Sequence, residues 1–306
     1  MLSDKLKNYL HLHFLVFIAG FTAILGELIT ITAVPLVWFR MAIALILIGL
    51  YALLSRAKLK LSLSAIIRLA FAGLIIALHW ITFFAAIDVS NVSITLAMFS
   101  TGAFFASLIE PLIYKRGIIW YEILFGILVI IGVSIITQSE LKYLNGIVLG
   151  ISSAFLSSLF AVMNGKFLER YSATTISFYE FISGVSFISL FLIIFYDGFS
   201  VDFFKQTAMD YTYLFILASV CTAYAFIASV YVMRYISPYT VVLTYNLEPI
   251  YGIVLAIILF PEKEKMSMNF YYGAAMILGV VLLNGILKNR GRSKKEPLNS
   301  ITKKNT

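Results

Sequence analysis

Apolar residues gather into ten runs along this chain, each about 20 residues long and parted by short polar segments. The runs fall near 12–32, 34–54, 65–87, 91–113, 118–137, 143–164, 173–196, 211–233, 237–259 and 269–287. A bilayer core about 30 Å thick takes about 20 helical residues at 1.5 Å each, so every run predicts a membrane-spanning helix. The expected fold is all-α, a polytopic membrane protein of ten transmembrane helices. Composition agrees, with 61% of residues hydrophobic, 12% charged and a mean hydropathy of +0.96. A soluble domain carries about twice that charge. Ten spans with short loops use nearly all of the 306 residues and leave no room for a soluble catalytic domain.

Lysine and arginine set the expected orientation, because basic loops stay on the cytoplasmic side. With the N-terminal segment 1–11 inside, most of the basic residues are cytoplasmic, from Lys5 and Lys7 through Lys115 and Arg116 to the cluster beginning at Lys288. Only Lys142, Lys205, Lys263 and Lys265 fall opposite; with Arg68, at the cytoplasmic start of the third span, counted as cytoplasmic, Arg40 alone lies within a span. Both termini are therefore expected in the cytoplasm, in a plasma membrane or bacterial inner membrane. The same asymmetry explains the net charge of +8 without nucleic acid, since basic tails beside a bilayer meet anionic lipid. The tail 288–306, with Gly291, Ser293 and Pro297, reads as disordered. Cys221 is the single cysteine, so no intrachain disulfide can form. The first run is read as a retained helix rather than a signal peptide, because nine spans follow it and no clear small-residue cleavage site does.

The second half echoes the first. Gly126 and Gly273, Gly132 and Gly279, and Ser90 and Ser237 all share an offset of 147. Earlier in each half the segment from Thr32 to Arg40 aligns with Ser172 to Glu180 at an offset of 140, the difference falling in a longer loop from Asp197 to Asp210. Five spans per half is an odd number, so the copies would enter the membrane from opposite sides as inverted repeats. Transporters built this way hold their site between the repeats near the midplane. Gly146 and Gly150 form a GxxxG pair, read as close helix packing within the monomer.

In the second half, Leu247-Glu248-Pro249-Ile250 is followed by Glu262 thirteen residues past the proline, then by Gly273 and Gly279-Val280. This resembles the EamA repeat of the drug/metabolite transporter superfamily, with its mid-helix proline, acidic residue at the helix exit and glycine-bearing last helix. Gly20 followed by Arg40 is similar to the family's first repeat. The first copy departs from the pattern, with Gly102 in place of Pro249 and Lys115 in place of Glu262. The resemblance implies EamA repeats at 12–137 and 143–287 and a secondary transporter working by alternating access without a cofactor. It most often implies an exporter of a small organic solute such as an amino acid or related metabolite. A metabolite uptake carrier and a non-transporting receptor or scaffold on the same fold are the alternatives. Phosphorylated solutes call for cavity lysine or arginine, and away from their cytoplasmic ends the spans hold Arg40 alone.

Charge within lipid is costly, so each intramembrane ionisable group is a candidate for function. Glu27 and Arg40 lie about 8 Å and about 9 Å from the outer ends of the first and second spans, within reach of each other for gating or for a static pair. Glu248 is expected mid-span beside Pro249, whose missing N–H would expose a carbonyl, and could exchange a coupling proton. Glu180 repeats Arg40 in the opposite orientation and could bind a substrate ammonium or a hydrogen-bond network. His79, about 12 Å deep, is either a proton carrier or a satisfied packing residue. Trp80, Tyr179, Tyr245 and Asn246 join His79 and Glu180 as candidate substrate contacts, with Trp38 and Tyr224 as further cavity walls. Glu110, next to Pro111, is expected to snorkel to the interface. No G-x-S-x-G, H-E-x-x-H or phosphate-loop motif occurs, which argues against an enzyme and against ATP as the driving force.

Overall fold

The computed structural model describes residues 4–115, 117, 120–196, 198–232, 235, 244–245 and 247–293. Its elements in chain order are α1 (Asp4–Leu28), α2 (Ala33–Leu54), α3 (Leu63–Val89), α4 (Val92–Phe99), α5 (Gly102–Tyr114) and α6 (Trp120–Ser139). They continue as α7 (Leu144–Leu168), α8 (Ala173–Phe195), α9 (Ala208–Ala218), a π-turn (Ser219–Tyr224), α10 (Ala225–Val232), α11 (Glu248–Leu259) and α12 (Met268–Ser293). Among the described residues, eight helical segments are long and apolar enough to cross a membrane. The shorter apolar helices Glu248–Leu259 and Met268–Asn284 stand where the ninth and tenth runs end the chain's apolar pattern. Large apolar side chains face outward, among them Leu53, Leu54, Ile130, Ile193 and Ile194. A surface of that kind matches lipid and not water. The chain is a multi-pass membrane protein.

Helix ends follow local chemistry. Ser62, Asn91, Ser172 and Thr207 each accept a backbone N–H from three residues on and so cap α3, α4, α8 and α9. The first helix is offset from its run: it begins at Asp4 and ends at Leu28. The last extends through Lys288 and Arg290 to Ser293, so the tail's first residues are helical and not disordered, while 294–306 lie outside the described residues.

Two expected continuous spans are interrupted. The fourth breaks at Ser100 and Thr101, whose hydroxyls donate back to Leu96 O at 2.9 Å and Met98 O at 2.6 Å. Such back-bonding bends helices. The eighth carries the π-turn, where the Thr222 hydroxyl donates to Leu217 O at 2.8 Å, one residue further back than an α-helical turn allows. In the ninth, Pro249 falls in the first turn of α11, where its missing N–H is not needed, so it opens this helix and does not interrupt it.

Packing sets α3 against α7 and α8, α1 against α11, α2 against α8 and α9, α4 and α5 against α7, α4 against α11, and α6 against α12. The larger core includes Leu15, Ile24, Leu36, Phe84, Phe181 and Leu214. A smaller one joins α4, α6, α7 and α12 through Ile94, Met98, Ile136, Ile147 and Ile277. Gly146 and Gly150 lie against Ser90 and Met98, so the GxxxG pair packs within the chain.

The loop before α12 folds back to complete the cap of α4. Val92 N and Ser93 N donate to Glu264 Oε1 and Oε2 at 3.0 and 2.9 Å, and Asn91 Nδ2 donates to Lys263 O at 3.1 Å. Burial pushes the Glu264 carboxyl above the usual range, against the pull of these donors. Its proton is then held more tightly folded than unfolded, and this contribution to stability falls as pH rises from the ordinary glutamate range through the folded value. Glu264→Ala strands two buried N–H groups and is expected to cost about 1–3 kcal/mol. Thermal melting checks this: the variant should melt lower and lose that part of the pH dependence.

Candidate functional site

Arg40 lies on the inward face of α2 among buried Leu36, Val37, Met41 and Ala44, and is itself 3% exposed. Its Nε donates to Thr222 Oγ1 at 2.8 Å, and the π-turn is what carries Thr222 to that position. The guanidinium carbon sits 4.0 Å above the Trp80 ring and 5.7 Å from that of Phe84. A cation on an aromatic face gains up to about 2 kcal/mol when desolvated. Nη1 is shut off from solvent and has no hydrogen-bond partner among the described residues. No ion pair to Arg40 forms among the described residues, although Glu248 is near enough to act on its charge. Glu248 is partly buried at the start of α11, and its backbone carbonyl faces Gly20 of α1.

Around this centre the polar contacts join distant parts of the chain. His79 Nδ1 lies 3.1 Å from Ser153 O and 2.9 Å from Ser153 Oγ, which ties α3 to α7. A carbonyl only accepts, so Nδ1 carries the proton of the first contact. The imidazole stacks on Phe99 with centroids 5.5 Å apart. Trp80 meets Phe181 edge-on at 5.7 Å, and Phe181 meets Phe226 at 5.7 Å. Glu180 is fully buried: Oε1 accepts from Asn164 Nδ2 at 2.9 Å, while Oε2 receives no bond. The Tyr245 hydroxyl lies 2.8 Å from Ser229 Oγ. Asn246 lies outside the described residues.

Other candidates are placed elsewhere. Tyr179 donates to Leu59 O at 2.6 Å, in the loop between α2 and α3. Trp38 donates to Ser189 Oγ at 2.8 Å and packs on Phe199, Phe203 and Phe204 of the long loop before α9, so that insertion forms an aromatic cover over the start of α2. Tyr224 meets His11 Nε2 at 2.8 Å and is exposed. Glu27 pairs with Lys263 and not with Arg40. The reason is that α1 stops at Leu28, which puts Glu27 in the last turn beside the returning loop. The ion pair holds Lys263 above its ordinary range. Beside it a cavity of about 390 Å³ is lined by Glu27, Asp88, Ser90, Tyr143, Glu262 and Lys263.

Thr222, Ser153 and Asn164 were not singled out from sequence. Each is a polar residue inside an apolar run, the general mark of interhelical hydrogen bonding, but nothing in the run says which partner it meets. Among the described residues no three histidine, cysteine or acidic side chains cluster as metal ligands. Among the described residues the arrangement offers a guanidinium Nη1 group without an acceptor, one free carboxylate oxygen and an aromatic wall between helices of the two halves.

Comparison with known proteins bears on this geometry. The family model of the EamA-like transporter family matches residues 144–286. That segment is similar to this family, part of the drug/metabolite transporter superfamily, whose name describes a transporter. A solved structure described only as the crystal structure of a protein shares the fold: it aligns over 93% of this chain and 99% of its own, with a TM-score of 0.63 at 13% identity. No curated protein matches the chain.

Proposed function

We propose that the protein is a secondary active transporter of ten spans in two inverted five-helix repeats, 12–137 and 143–287. It exports a small organic solute such as an amino acid by alternating access, with both termini in the cytoplasm. The observation that carries this reading is that buried polar contacts cross between the halves, Arg40 to Thr222 and His79 to Ser153, and that Glu27 to Lys263 does so at the rim. Repeat-built transporters place their site at that boundary.

The packing supports the repeat. If α1, α2 and α3 correspond to α7, α8 and the α9–α10 pair, then α3 on α7 mirrors α9 and α10 on α1, and α3 on α8 mirrors α9 on α2. Counterparts also meet one another, α2 with α8 and α6 with α12. Arg40 and Glu180 sit equally far past the caps Thr32 and Ser172. In this reading His79, Trp80, Glu180, Tyr245 and Asn246 surround the solute, Glu248 exchanges the coupling proton, and the Glu27–Lys263 pair closes the outer side. Tyr179 contributes from the inner end.

Reconstitution tests it. Purified protein in proteoliposomes should move at least one amino acid or related metabolite with saturable kinetics, faster when a pH gradient is imposed. Folded protein that binds such a solute without moving it would instead be a receptor.

A further inference from the structure

We propose that Arg40 is the anchor for a carboxylate group on the transported solute, so that the substrates are small monocarboxylates; this rests on the transporter reading above. Arg40 is the only cation deep within the predicted spans, Arg68 standing exposed near the start of the third, and Arg40 itself is almost completely buried. A buried guanidinium in a stable protein is matched by carboxylates or by a full set of acceptors. Arg40 has neither. Its Nε is fixed on Thr222, its face is fixed on Trp80, and Nη1 is left without an acceptor in an otherwise closed site.

Those two fixed contacts are what a binding group needs. The Thr222 bond sets the rotation of the fork and the Trp80 ring sets its plane, so the free edge is held in one direction before any ligand arrives. A planar guanidinium fork matches a carboxylate with two parallel N–H···O bonds, a geometry that lysine cannot supply. Trp80, Phe84 and Phe181 form the adjoining wall and suit the apolar part of such a solute. Glu248 lies within electrostatic reach and partly offsets the charge. One arginine with one nearby acid accepts a single negative charge and disfavours a dianionic phosphate.

The test uses paired probes on the full-length protein: leucine with leucinamide, phenylalanine with phenylalaninamide, and isovalerate with isovaleramide. Melting temperature and flux in proteoliposomes are both read. At least one acid should bind and move about 10- to 100-fold better than its amide, the range set by a hydrogen bond to a charged group. In Arg40→Gln that preference should vanish, and in Arg40→Lys it should fall in part. Should Arg40→Gln fail to fold, Thr222→Val keeps the charge but frees its aim, and should weaken the acid severalfold without changing the amide.

Equal handling of acid and amide by the native protein overturns the anchor, and so does a preference that survives in Arg40→Gln. If the same vesicles move a neutral or cationic solute and none of the acids, the anchor falls while the transporter reading stands. If they move no solute of any charge, both fall.

Discussion

Gly73→Ala is expected to lower stability by about 3 kcal/mol, although it adds a single methyl group to a helix. That methyl would lie 2.3 Å from the Glu180 carbonyl oxygen and 2.9 Å from the Glu180 Cα. Both are backbone atoms, so no side-chain rotation relieves the overlap and α3 must move away from α8. The same crossing is tight from the other side, where a methyl on Gly184 would come within 3.1 Å of Gly73 O. Gly184→Ala mainly meets the flexible end of Met41 and should cost less. Gly279→Ala meets nothing within 4 Å and, with alanine the better helix former, should be neutral or slightly stabilising. Thermal melting and the monodisperse fraction in detergent, compared across the three variants, check the order. A Gly73→Ala protein as stable as the Gly279→Ala protein would show that α3 and α8 are not held in backbone contact.

Glycine also shows how far the chain could be read without its structure. The glycine spacing pointed to a repeat, and Gly132 and Gly273 do meet, each with the other's carbonyl about 3 Å from where a methyl would be. Spacing alone aligned Gly132 with Gly279, because a repeat equates positions within each half and is silent on which helices cross. The spans were visible because lipid demands a long apolar run and little else. Their interruptions were not. Ser100, Thr101 and Thr222 bond back into their own helices, as serine and threonine do in many unbroken ones, so composition carries no mark of a break or a π-turn.

The site follows the same division. Arg40 was conspicuous as a cation deep in a span, yet its expected partner Glu27 sits with Lys263, because the depth of Glu27 had been counted from a helix end four residues too far along. An error of one turn displaces a side chain by about 5 Å, enough to exchange a buried pair for one at the rim. His79 and Glu180 were conspicuous too, while Ser153 and Asn164, which hold them, were ordinary polar residues among many. Charge in lipid can be read from a sequence, but its neutral partners are chosen by helix rotation.

Glu248→Gln carries the largest expected effect on transport. Glu248 is the acid in electrostatic contact with Arg40, and no hydrogen bond of its carboxylate forms among the described residues. Under the proposed mechanism it holds either a proton or the ammonium of an amino acid whose carboxylate lies on Arg40. One site that takes the two cations in turn exchanges them, and that competition would couple outward solute flux to inward proton flux. Glutamine keeps the size of the side chain and removes the charge. Loss of one charge-assisted contact of this kind is worth about 1.5–3 kcal/mol, so flux of an amino acid should fall about 10- to 100-fold and cease to respond to a pH gradient. Isovalerate, which has no ammonium group, should bind to Glu248→Gln at least as well as to the native protein, because the neighbouring negative charge has gone. Flux in proteoliposomes with and without the gradient separates these outcomes. If the variant still exports faster when the gradient is imposed, the proton passes through another group, and the buried Glu180, with one oxygen on Asn164 and the other unpaired, is the next to replace.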